Sequence, residues 1–211
     1  MHYKRQKKSD RITWYRTIRF FDIFFSFFGL ILLSLLFLII AVSIVCDNRG
    51  GIFYKQIRAG KDGIDFKLYK FRTMTVGSDK GSLITIGARD TRITKVGYFL
   101  RKYKLDELPQ LINVLLGDMS LVGPRPEVRK YVDLYDDEQR KVLQVRPGIT
   151  DYASIIYRNE NELLENADDP DKMYIEQILP QKIRYNMIYI NHCTLTEYFK
   201  IIFLTFWNII R

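Results

Sequence analysis

An uncharged apolar run from Ile23 to Cys46 constrains this chain more than any other feature. The segment reads IFFSFFGLILLSLLFLIIAVSIVC and has no charged side chain. As a straight helix it would cross the roughly 30 Å hydrocarbon layer of a bilayer. No small-residue cleavage pattern follows it, so a cleaved secretory signal is not expected. The segment predicts a membrane protein.

Basic residues flank both ends of this run. Seven Lys or Arg residues lie within residues 4–19, and seven more lie within residues 49–72. Cytoplasmic flanks carry an excess of positive charge, so both ends are predicted on the cytoplasmic side. A helix that enters one leaflet and turns back satisfies this rule, with Gly29 and Ser34 as candidate break points. A spanning helix with a large basic domain on one side is the alternative.

The composition limits the partners and the metal chemistry. The 211 residues suit one domain, and the net charge of +9 favours anionic partners such as nucleic acid, acidic lipid or phosphorylated substrates. The two cysteines, Cys46 and Cys193, lie far apart and suggest no disulfide framework. With His2 and His192 as the histidines, a zinc site is not expected. Any metal would be a hard cation on carboxylate and phosphate oxygens.

Two short strands are predicted after the membrane segment, in residues 50–63 and 65–74, with a glycine-bearing turn between them. In the second strand, alternation places Lys70 and Arg72 on one face. These two side chains form either a solvated strand face or a two-pronged phosphate contact.

Two adjacent acids, Asp106 and Glu107, precede a proline and a helical apolar pattern that ends at Gly117. An acid at a helix start can serve as N-cap and favour the helix dipole without any chemistry. Just upstream, residues 91–104 predict a basic amphipathic helix that carries Arg101. Such a helix suits a membrane surface or packing on a core.

Two arginines lie in turns built from proline and glycine. Arg125 is part of GPRP, and Arg146 precedes Pro-Gly in VRPGIT. An arginine fork held on a rigid turn can bind phosphate with two hydrogen bonds. A purely structural arginine on a turn is the alternative.

The C-terminal third contains two further predicted features. Residues 159–171 are acidic and poor in large apolar side chains, which predicts an exposed loop or insertion. Residues 194–211 predict an apolar helix that begins with a capping box of Thr194 and Glu197. We expect this helix to lie at the membrane interface or to pack against the membrane segment.

The order of these motifs resembles the bacterial sugar transferase family of monotopic phosphoglycosyl transferases. The resemblance covers residues 18–211 and is densest over residues 53–150, where YKFRTM, LDELPQLINVL, GDMSLVGPRP and RPGIT follow one another. It implies an enzyme that moves a sugar-1-phosphate from a UDP-sugar to polyprenyl phosphate and releases UMP. That reaction is the first membrane step of polysaccharide or glycoprotein synthesis.

The resemblance also implies roles for individual residues. Asp106 matches the nucleophile that forms a covalent aspartyl-phosphosugar, and Glu107 matches the carboxylate that holds Mg²⁺, with Asp106 as a second metal carboxylate. The expected substrate-binding residues are Lys70, Arg72, Arg101, Arg125 and Arg146. Direct displacement at a Mg²⁺–carboxylate site on a spanning protein is the alternative reaction. A non-catalytic membrane-surface scaffold is the alternative function, and nucleic-acid binding is not expected.

The expected fold class is α+β and mostly helical. A re-entrant membrane helix, a small β-hairpin and amphipathic surface helices would surround one catalytic domain. The expected organisation is a basic segment at 1–19, a membrane-embedded helix at 20–46 and a cytosolic catalytic domain at 47–211. The resemblance places the protein at the bacterial inner membrane, with its catalytic domain on the cytoplasmic face.

Two positions depart from the family pattern. Leu35 follows Ser34 where the family usually has proline, so the re-entrant bend lacks its usual local cause. Residues 151–154 read Asp-Tyr-Ala-Ser where the family commonly has Gly-Trp-Ala-Gln, which predicts altered sugar recognition. The chain resembles the minimal catalytic form, which is associated with N-acetylated or deoxy amino sugars as donors.

Overall fold

The computed structural model describes residues 8–78 and 90–210, and this part of the chain is mostly helical. The helices are α1 Lys8–Leu32, α2 Ser34–Asp47, α3 Lys95–Lys102, α4 Gln110–Leu116, α5 Arg129–Val132, α6 Tyr152–Ile156, α7 Glu160–Glu165, α8 Pro170–Met173, α9 Leu179–Asn191 and α10 Leu195–Ile210. The strands are β1 Phe53–Ala59, β2 Asp65–Phe71, β3 Ser120–Val122 and β4 Gly148–Thr150. The predicted mostly helical fold with a small β-hairpin is confirmed.

The apolar run forms two helices instead of one. The axes of α1 and α2 are bent by 61° at a break that leaves Leu33 between them. The break lies directly before Ser34, one of the two predicted points, whereas Gly29 stays inside α1. Within the described residues no single helix has the length and apolarity to cross a bilayer, but this bent pair has both.

Both helices of the pair expose large apolar side chains to the surroundings. Leu32 is 83% exposed and Leu35 is 67% exposed, on the two sides of the break. The other exposed apolar side chains of the pair are Phe20, Ile23, Phe24, Phe25, Phe27, Phe28, Ile31, Leu38, Ile39, Val42 and Val45. An apolar surface this extensive on a folded protein marks an interaction with a membrane or with another protein.

One buried carboxylate fastens α1 to the rest of the chain. Asp22 is 2% exposed, and its Oδ1 accepts hydrogen bonds from Ser120 Oγ at 3.0 Å, Leu121 N at 2.9 Å and Tyr198 OH at 3.0 Å. One turn earlier, Arg19 donates to carbonyl oxygens at the end of α4, including Val114 O at 2.6 Å. These contacts tie the membrane-type helix to β3, α4 and α10.

The β-hairpin pairs Phe53 with Phe71 and Ala59 with Asp65 in an antiparallel register. Phe71, 1% exposed, packs with Ile40, Ile44 and Leu100 between α2 and α3, so the hairpin joins the two helices. Gly97 lets α3 pack closely against the backbone of Thr73, just after β2, because an added Cβ there would lie 2.1 Å from Thr73 O.

The two predicted arginine turns lie side by side. Strands β3 and β4 pair in parallel, and Gly148 N donates to Pro124 O at 2.9 Å. Only glycine fits at position 148, because a Cβ there would lie 2.0 Å from Gly123 N. The short pair therefore fixes GPRP and RPG next to each other.

The C-terminal helices complete the core. The predicted helix over 194–211 is confirmed as α10, and it packs on α1 through Phe199, whose ring lies 5.2 Å from that of Phe21. Thr194 Oγ1 accepts from Glu197 N at 3.2 Å, which is one half of the predicted capping box, whereas the Glu197 carboxylate accepts from Tyr152 OH and Lys200 Nζ. The largest buried cluster lies between α5, α9 and the residues around them.

Three sequence predictions need correction. The helix predicted over 91–104 begins at Lys95, because Thr94 caps it by accepting from Gly97 N at 3.0 Å. The acidic stretch 159–171 is no plain loop: it contains α7 and the start of α8, and it buries Leu164 in the core. The third correction concerns Asp106 and belongs to the site.

Replacing Asp22 by alanine is expected to destabilise the protein strongly. The substitution would leave three donors without their acceptor, and each buried unpaired donor costs about 1–3 kcal/mol. A total of about 3 kcal/mol corresponds to a fall of roughly 6–12 °C in the unfolding midpoint for a chain of this size. Thermal unfolding in detergent measures this midpoint, and the Asp137→Ala variant, at an exposed position, is the control. Equal midpoints for the two variants would show that α1 is not held by Asp22.

Candidate active site

A cavity of about 1370 Å³ is lined by residues of the bent helix pair, the hairpin and the C-terminal helices. Its apolar end is lined by Phe25, Gly29, Leu33, Leu36, Leu111, Phe199, Ile202 and Phe206. Its polar part is lined by Lys70, Arg72, Arg101, Lys104, Asp106, Glu107 and Arg125, together with residues of α6, α7 and α9. One cavity therefore offers both an apolar and a charged environment.

The two adjacent acids do not start α4. They lie in a separate 3-10 turn, Leu105–Glu107, and the N-cap position of α4 is Pro109. Lys104, just before the turn, has φ 57° and ψ 21° in the left-handed region, which costs a non-glycine residue of order 1 kcal/mol. The capping role that the sequence allowed for Asp106 is therefore wrong, because its side chain caps no helix.

Glu107 is the centre of an ion cluster. Its carboxylate forms a two-pronged ion pair with Arg125, with Nη1 to Oε2 at 3.1 Å, and also accepts from Lys70 Nζ at 2.9 Å. Burial opposes ionisation of Glu107, but the charges of Arg125 and Lys70 outweigh it and hold the pKa well below its usual range. The pairing with Glu107 raises the pKa of Arg125 further. Glu107 is therefore ionised.

Asp106 has the opposite environment. It is 7% exposed, and no donor of the described residues hydrogen-bonds to its carboxylate. Burial raises its pKa, and the adjacent charge of Glu107 raises it further, although Lys70 and Arg101 partly oppose both effects. Two neighbouring carboxylates with pKa values shifted in opposite directions are a pattern that active sites use to assign different roles.

The cations around Asp106 are fixed by the fold. Arg101 Nε donates to Thr73 Oγ1 at 2.9 Å, so the guanidinium stays in the cavity wall. Lys70 extends from β2, and burial lowers the pKa of its ammonium while Glu107 raises it. Arg101, Lys70 and Arg125, all predicted from the sequence as substrate-binding residues, are thus brought together beside Asp106 and Glu107.

The other two predicted arginines have different positions. Arg72 lines the cavity, but its guanidinium donates to the carbonyl oxygens of Asn48 and Arg49, just beyond the end of α2. Arg146 lies outside the cavity, and its Nε donates to Gly117 O at 2.8 Å on the exposed surface. The structure does not bring Arg146 to the two acids.

Sequence reasoning missed one residue that holds the site in place. Asp151 is 1% exposed and its Oδ2 accepts from Arg125 N at 3.0 Å, while Oδ1 caps α6 by accepting from Ser154 N. This aspartate stands where the resemblance noted a departure from the family pattern. The departure from the family pattern at this position is the sequence signal for Asp151, although by itself it predicts only altered sugar recognition.

Comparison with known proteins identifies relatives over nearly the whole chain. The family model described as "Bacterial sugar transferase" matches residues 14–211. A UDP-glucose:undecaprenyl-phosphate glucose-1-phosphate transferase of Klebsiella pneumoniae is 38% identical over 192 residues, which is 87% of this chain and 38% of that protein. The "uncharacterized sugar transferase EpsL" of Bacillus subtilis is 44% identical over 142 residues, 67% of this chain and 69% of EpsL.

The name of a third relative states a different sugar. The UDP-N-acetylgalactosamine-undecaprenyl-phosphate N-acetylgalactosaminephosphotransferase of Aeromonas hydrophila is 42% identical over 139 residues, 64% of this chain and 33% of that protein. The chain thus spans between a third and two fifths of the length of the two relatives whose names state a reaction.

Asp106→Asn is expected to stabilise the protein at neutral pH. Because the folded-state pKa of Asp106 is raised, the ionised side chain costs stability above that pKa, and asparagine removes the charge. We expect a gain on the order of 1 kcal/mol, roughly 2–4 °C in the unfolding midpoint. The gain should shrink as the pH falls through the folded-state pKa, because the wild-type carboxyl is then protonated too.

Thermal unfolding as a function of pH measures this difference, with Asp137→Asn as the control for loss of an exposed charge. A variant that is less stable than the wild type at neutral pH would show that favourable partners hold the ionised Asp106.

Proposed function

The chain belongs to the bacterial sugar transferase family, and from this premise we propose that it transfers a sugar-1-phosphate from a UDP-sugar to polyprenyl phosphate and releases UMP. The observation that carries the proposal is the Asp106 carboxylate, which has no hydrogen-bond donor among the described residues and lies beside the ion-paired Glu107. Relatives that are named for glucose and N-acetylgalactosamine donors share undecaprenyl phosphate as acceptor. The shared chemistry is what we assign to this chain.

The proposed reaction has two displacements at phosphorus. An oxygen of the Asp106 carboxylate attacks the β-phosphorus of the UDP-sugar, and the bond from this phosphorus to the bridging oxygen breaks as UMP leaves with the electron pair. A phosphate oxygen of the polyprenyl phosphate then attacks the same phosphorus, and the bond to Asp106 breaks. Carboxylates form such covalent intermediates in other phosphoryl transfers. The products are a polyprenyl diphosphate sugar and the free carboxylate.

The surrounding cations support this chemistry electrostatically. A carboxylate that approaches a diphosphate is repelled unless positive charge is fixed nearby. Arg101, Lys70 and Lys104 line the cavity and lower the electrostatic cost of ionised Asp106. The Thr73 hydrogen bond to Arg101 and the Glu107 contact to Lys70 hold two of these cations before substrate arrives.

The two carboxylates of the site fit Mg²⁺, provided that Glu107 shares an oxygen between the ion and one of its cationic partners. The described residues contain no cluster of three or more metal-ligating side chains, but Mg²⁺ commonly uses one or two carboxylates together with substrate phosphates. Asp106 offers carboxylate oxygens that no donor in residues 8–78 and 90–210 occupies, whereas Glu107 would have to share an oxygen with Lys70 or Arg125. We propose that these two acids hold the ion with the diphosphate oxygens. A bound Mg²⁺ would neutralise charge that develops on the phosphate oxygens.

The bent helix pair suits a re-entrant position in one leaflet. Each apolar half is about 20 Å long, and with a 61° bend shared equally each half would lie about 30° from the bilayer plane. The bend would then reach roughly 10 Å deep, less than half of the roughly 30 Å hydrocarbon layer. Both basic flanks would stay on one side, which we take to be the cytoplasmic face of the inner membrane.

This position would give the cavity a direct membrane entrance. Phe25, Gly29, Leu33 and Leu36 around the bend form its apolar end, and the acids lie in its polar part. A polyprenyl tail could remain in the membrane while its phosphate reached Asp106. The UDP-sugar would enter from the water-exposed side.

Asp106→Asn is expected to reduce UMP release by at least about 1000-fold, as removal of a covalent nucleophile generally does. The assay measures UMP from a panel of UDP-sugars with polyprenyl phosphate and Mg²⁺, and Asp137→Asn is the active control. Without acceptor, the wild type should gain the mass of one sugar phosphate on Asp106. Turnover without any such adduct would favour direct displacement, and no turnover from any donor would contradict the transferase proposal.

The re-entrant topology predicts that both flanks are labelled from the same side. Single cysteines at positions 9 and 62, in a Cys46→Ser background, should resist a membrane-impermeant maleimide in intact cells. Both should react in inside-out vesicles. Labelling of one site from each side would show that the helix pair spans the membrane. Cys193 is 1% exposed and serves as the internal unreactive control.

A further inference from the structure

The cavity has a second polar region, beyond Arg125, that the proposed displacements do not use. Glu127, Tyr157, Glu160, Tyr174 and Lys182 line this part, which we call the Glu160 pocket. These residues come from α7, α9 and the segments that precede α5, α7 and α9, so several elements converge on it.

The charges of the Glu160 pocket are balanced internally. Lys182 Nζ lies 3.0 Å from Glu160 Oε2, 3.5 Å from Glu127 Oε1 and 3.2 Å from Tyr174 OH. Arg58, 3.9 Å from Glu127, balances the second carboxylate. The pocket thus has no surplus positive charge for a phosphate. Its carboxylates and phenol oxygen instead suit neutral groups that donate hydrogen bonds, such as hydroxyls.

Two polar groups of the cavity wall keep unused hydrogen-bonding capacity. Glu160 keeps 25% of its side chain exposed, and no described donor contacts its Oε1. Ser154, which also lines the cavity, has a buried hydroxyl with no hydrogen-bond partner in the described part of the chain. A buried polar group without a partner carries an energetic cost that a bound ligand can remove.

Arg125 connects this pocket to the reacting acids. Its guanidinium pairs with Glu107, and its backbone N–H is held by Asp151. Arg125 and Glu160 line the same cavity, and Arg125, Glu127 and Lys182 together line a second, smaller cavity. The Glu160 pocket therefore adjoins Arg125 in the same cavity that holds Asp106, whose own neighbouring cations are Lys70, Arg101 and Lys104.

We propose that the Glu160 pocket binds the sugar ring of the donor, with Glu160 accepting a hydrogen bond from a ring hydroxyl or amide N–H and Ser154 contacting a second polar group. The nucleotide then occupies the cationic side of the cavity. This inference rests on the proposed function and adds the part of the chain that selects the sugar. It also gives a role to the acidic stretch 159–171, which the reaction itself leaves unexplained.

Glu160→Gln tests the proposal, with Glu162→Gln as matched control. Glu162 lies on the same helix, is exposed and does not line the cavity, and its substitution makes the same change in charge. We expect Glu160→Gln to lower kcat/KM for the preferred UDP-sugar about 10- to 100-fold, as expected for a hydrogen bond to a charged group. Discrimination among UDP-glucose, UDP-galactose and their N-acetylated forms should shrink, whereas inhibition by UMP should not change.

Ser154→Ala provides a second variant whose hydroxyl has no partner to lose within the described residues. It should fold as the wild type does, as thermal unfolding would verify, and it should weaken UDP-sugar binding without weakening UMP binding. If either variant weakened UMP and all donors equally, the pocket would be a nucleotide site. If Glu160→Gln behaved like Glu162→Gln, the sugar role would be overturned.

Calorimetric binding separates this proposal from the transfer reaction. Wild-type protein should bind its UDP-sugar more tightly than UMP, and Glu160→Gln should bind the two more nearly alike. Sugar-dependent binding without UMP release would contradict the transfer reaction and retain the pocket. Turnover with unchanged donor discrimination in Glu160→Gln would contradict the pocket alone.

Discussion

The hydrogen bonds to Asp22 are the interaction on which the rest of this structure depends. A carboxylate inside a largely apolar helix is tolerable only when its lone pairs are used, and here donors from β3 and α10 use them. The same contact fixes the direction in which α1 leaves the folded domain. Because α1 lines the cavity through Phe25 and Gly29, these hydrogen bonds help to fix one part of the cavity wall. Arg19 strengthens the connection at the end of α4.

A second constraint is that two adjacent acids have different hydrogen-bond partners and oppositely shifted pKa values. Glu107 is paired by Arg125 and Lys70, so its negative charge is balanced and structurally useful. Asp106, one residue earlier, receives no hydrogen bond from the described residues and is the side chain with a raised pKa. The 3-10 turn makes this difference possible, because a regular helix start would have directed Asp106 toward backbone N–H groups as a cap. The left-handed Lys104 just before it is part of how the chain separates this turn from α3.

The sequence predicts the elements well where one local signal dominates. The hairpin, α10 and the end of α4 at Gly117, whose φ is 96°, follow from alternation, apolar spacing and a glycine stop. Contacts across the chain were not predictable. Asp22 lies just outside the apolar run, and no local pattern indicates its partners, which are about 100 or more residues away. Arg125 and Arg146 look alike in sequence, yet the parallel pairing of β3 with β4 leaves the first in the cavity and the second on the surface.

The lining of the cavity also indicates how one small domain could bind two substrates of opposite solubility in the proposed reaction. In the proposed reaction, a lipid phosphate and a nucleotide sugar meet one carboxylate, and water is kept from competing for the phosphorus. The apolar end of the cavity lies at the helix bend, and the polar part continues past Arg125 to α7 and α9. Asp106 lines the same cavity on a turn that is held by the Glu107 ion cluster and followed by α4. If the Glu160 pocket binds the sugar as proposed, variation there would change the donor while the acids, the cations and the bent helix pair stay the same, which fits relatives that share an acceptor and differ in the named donor.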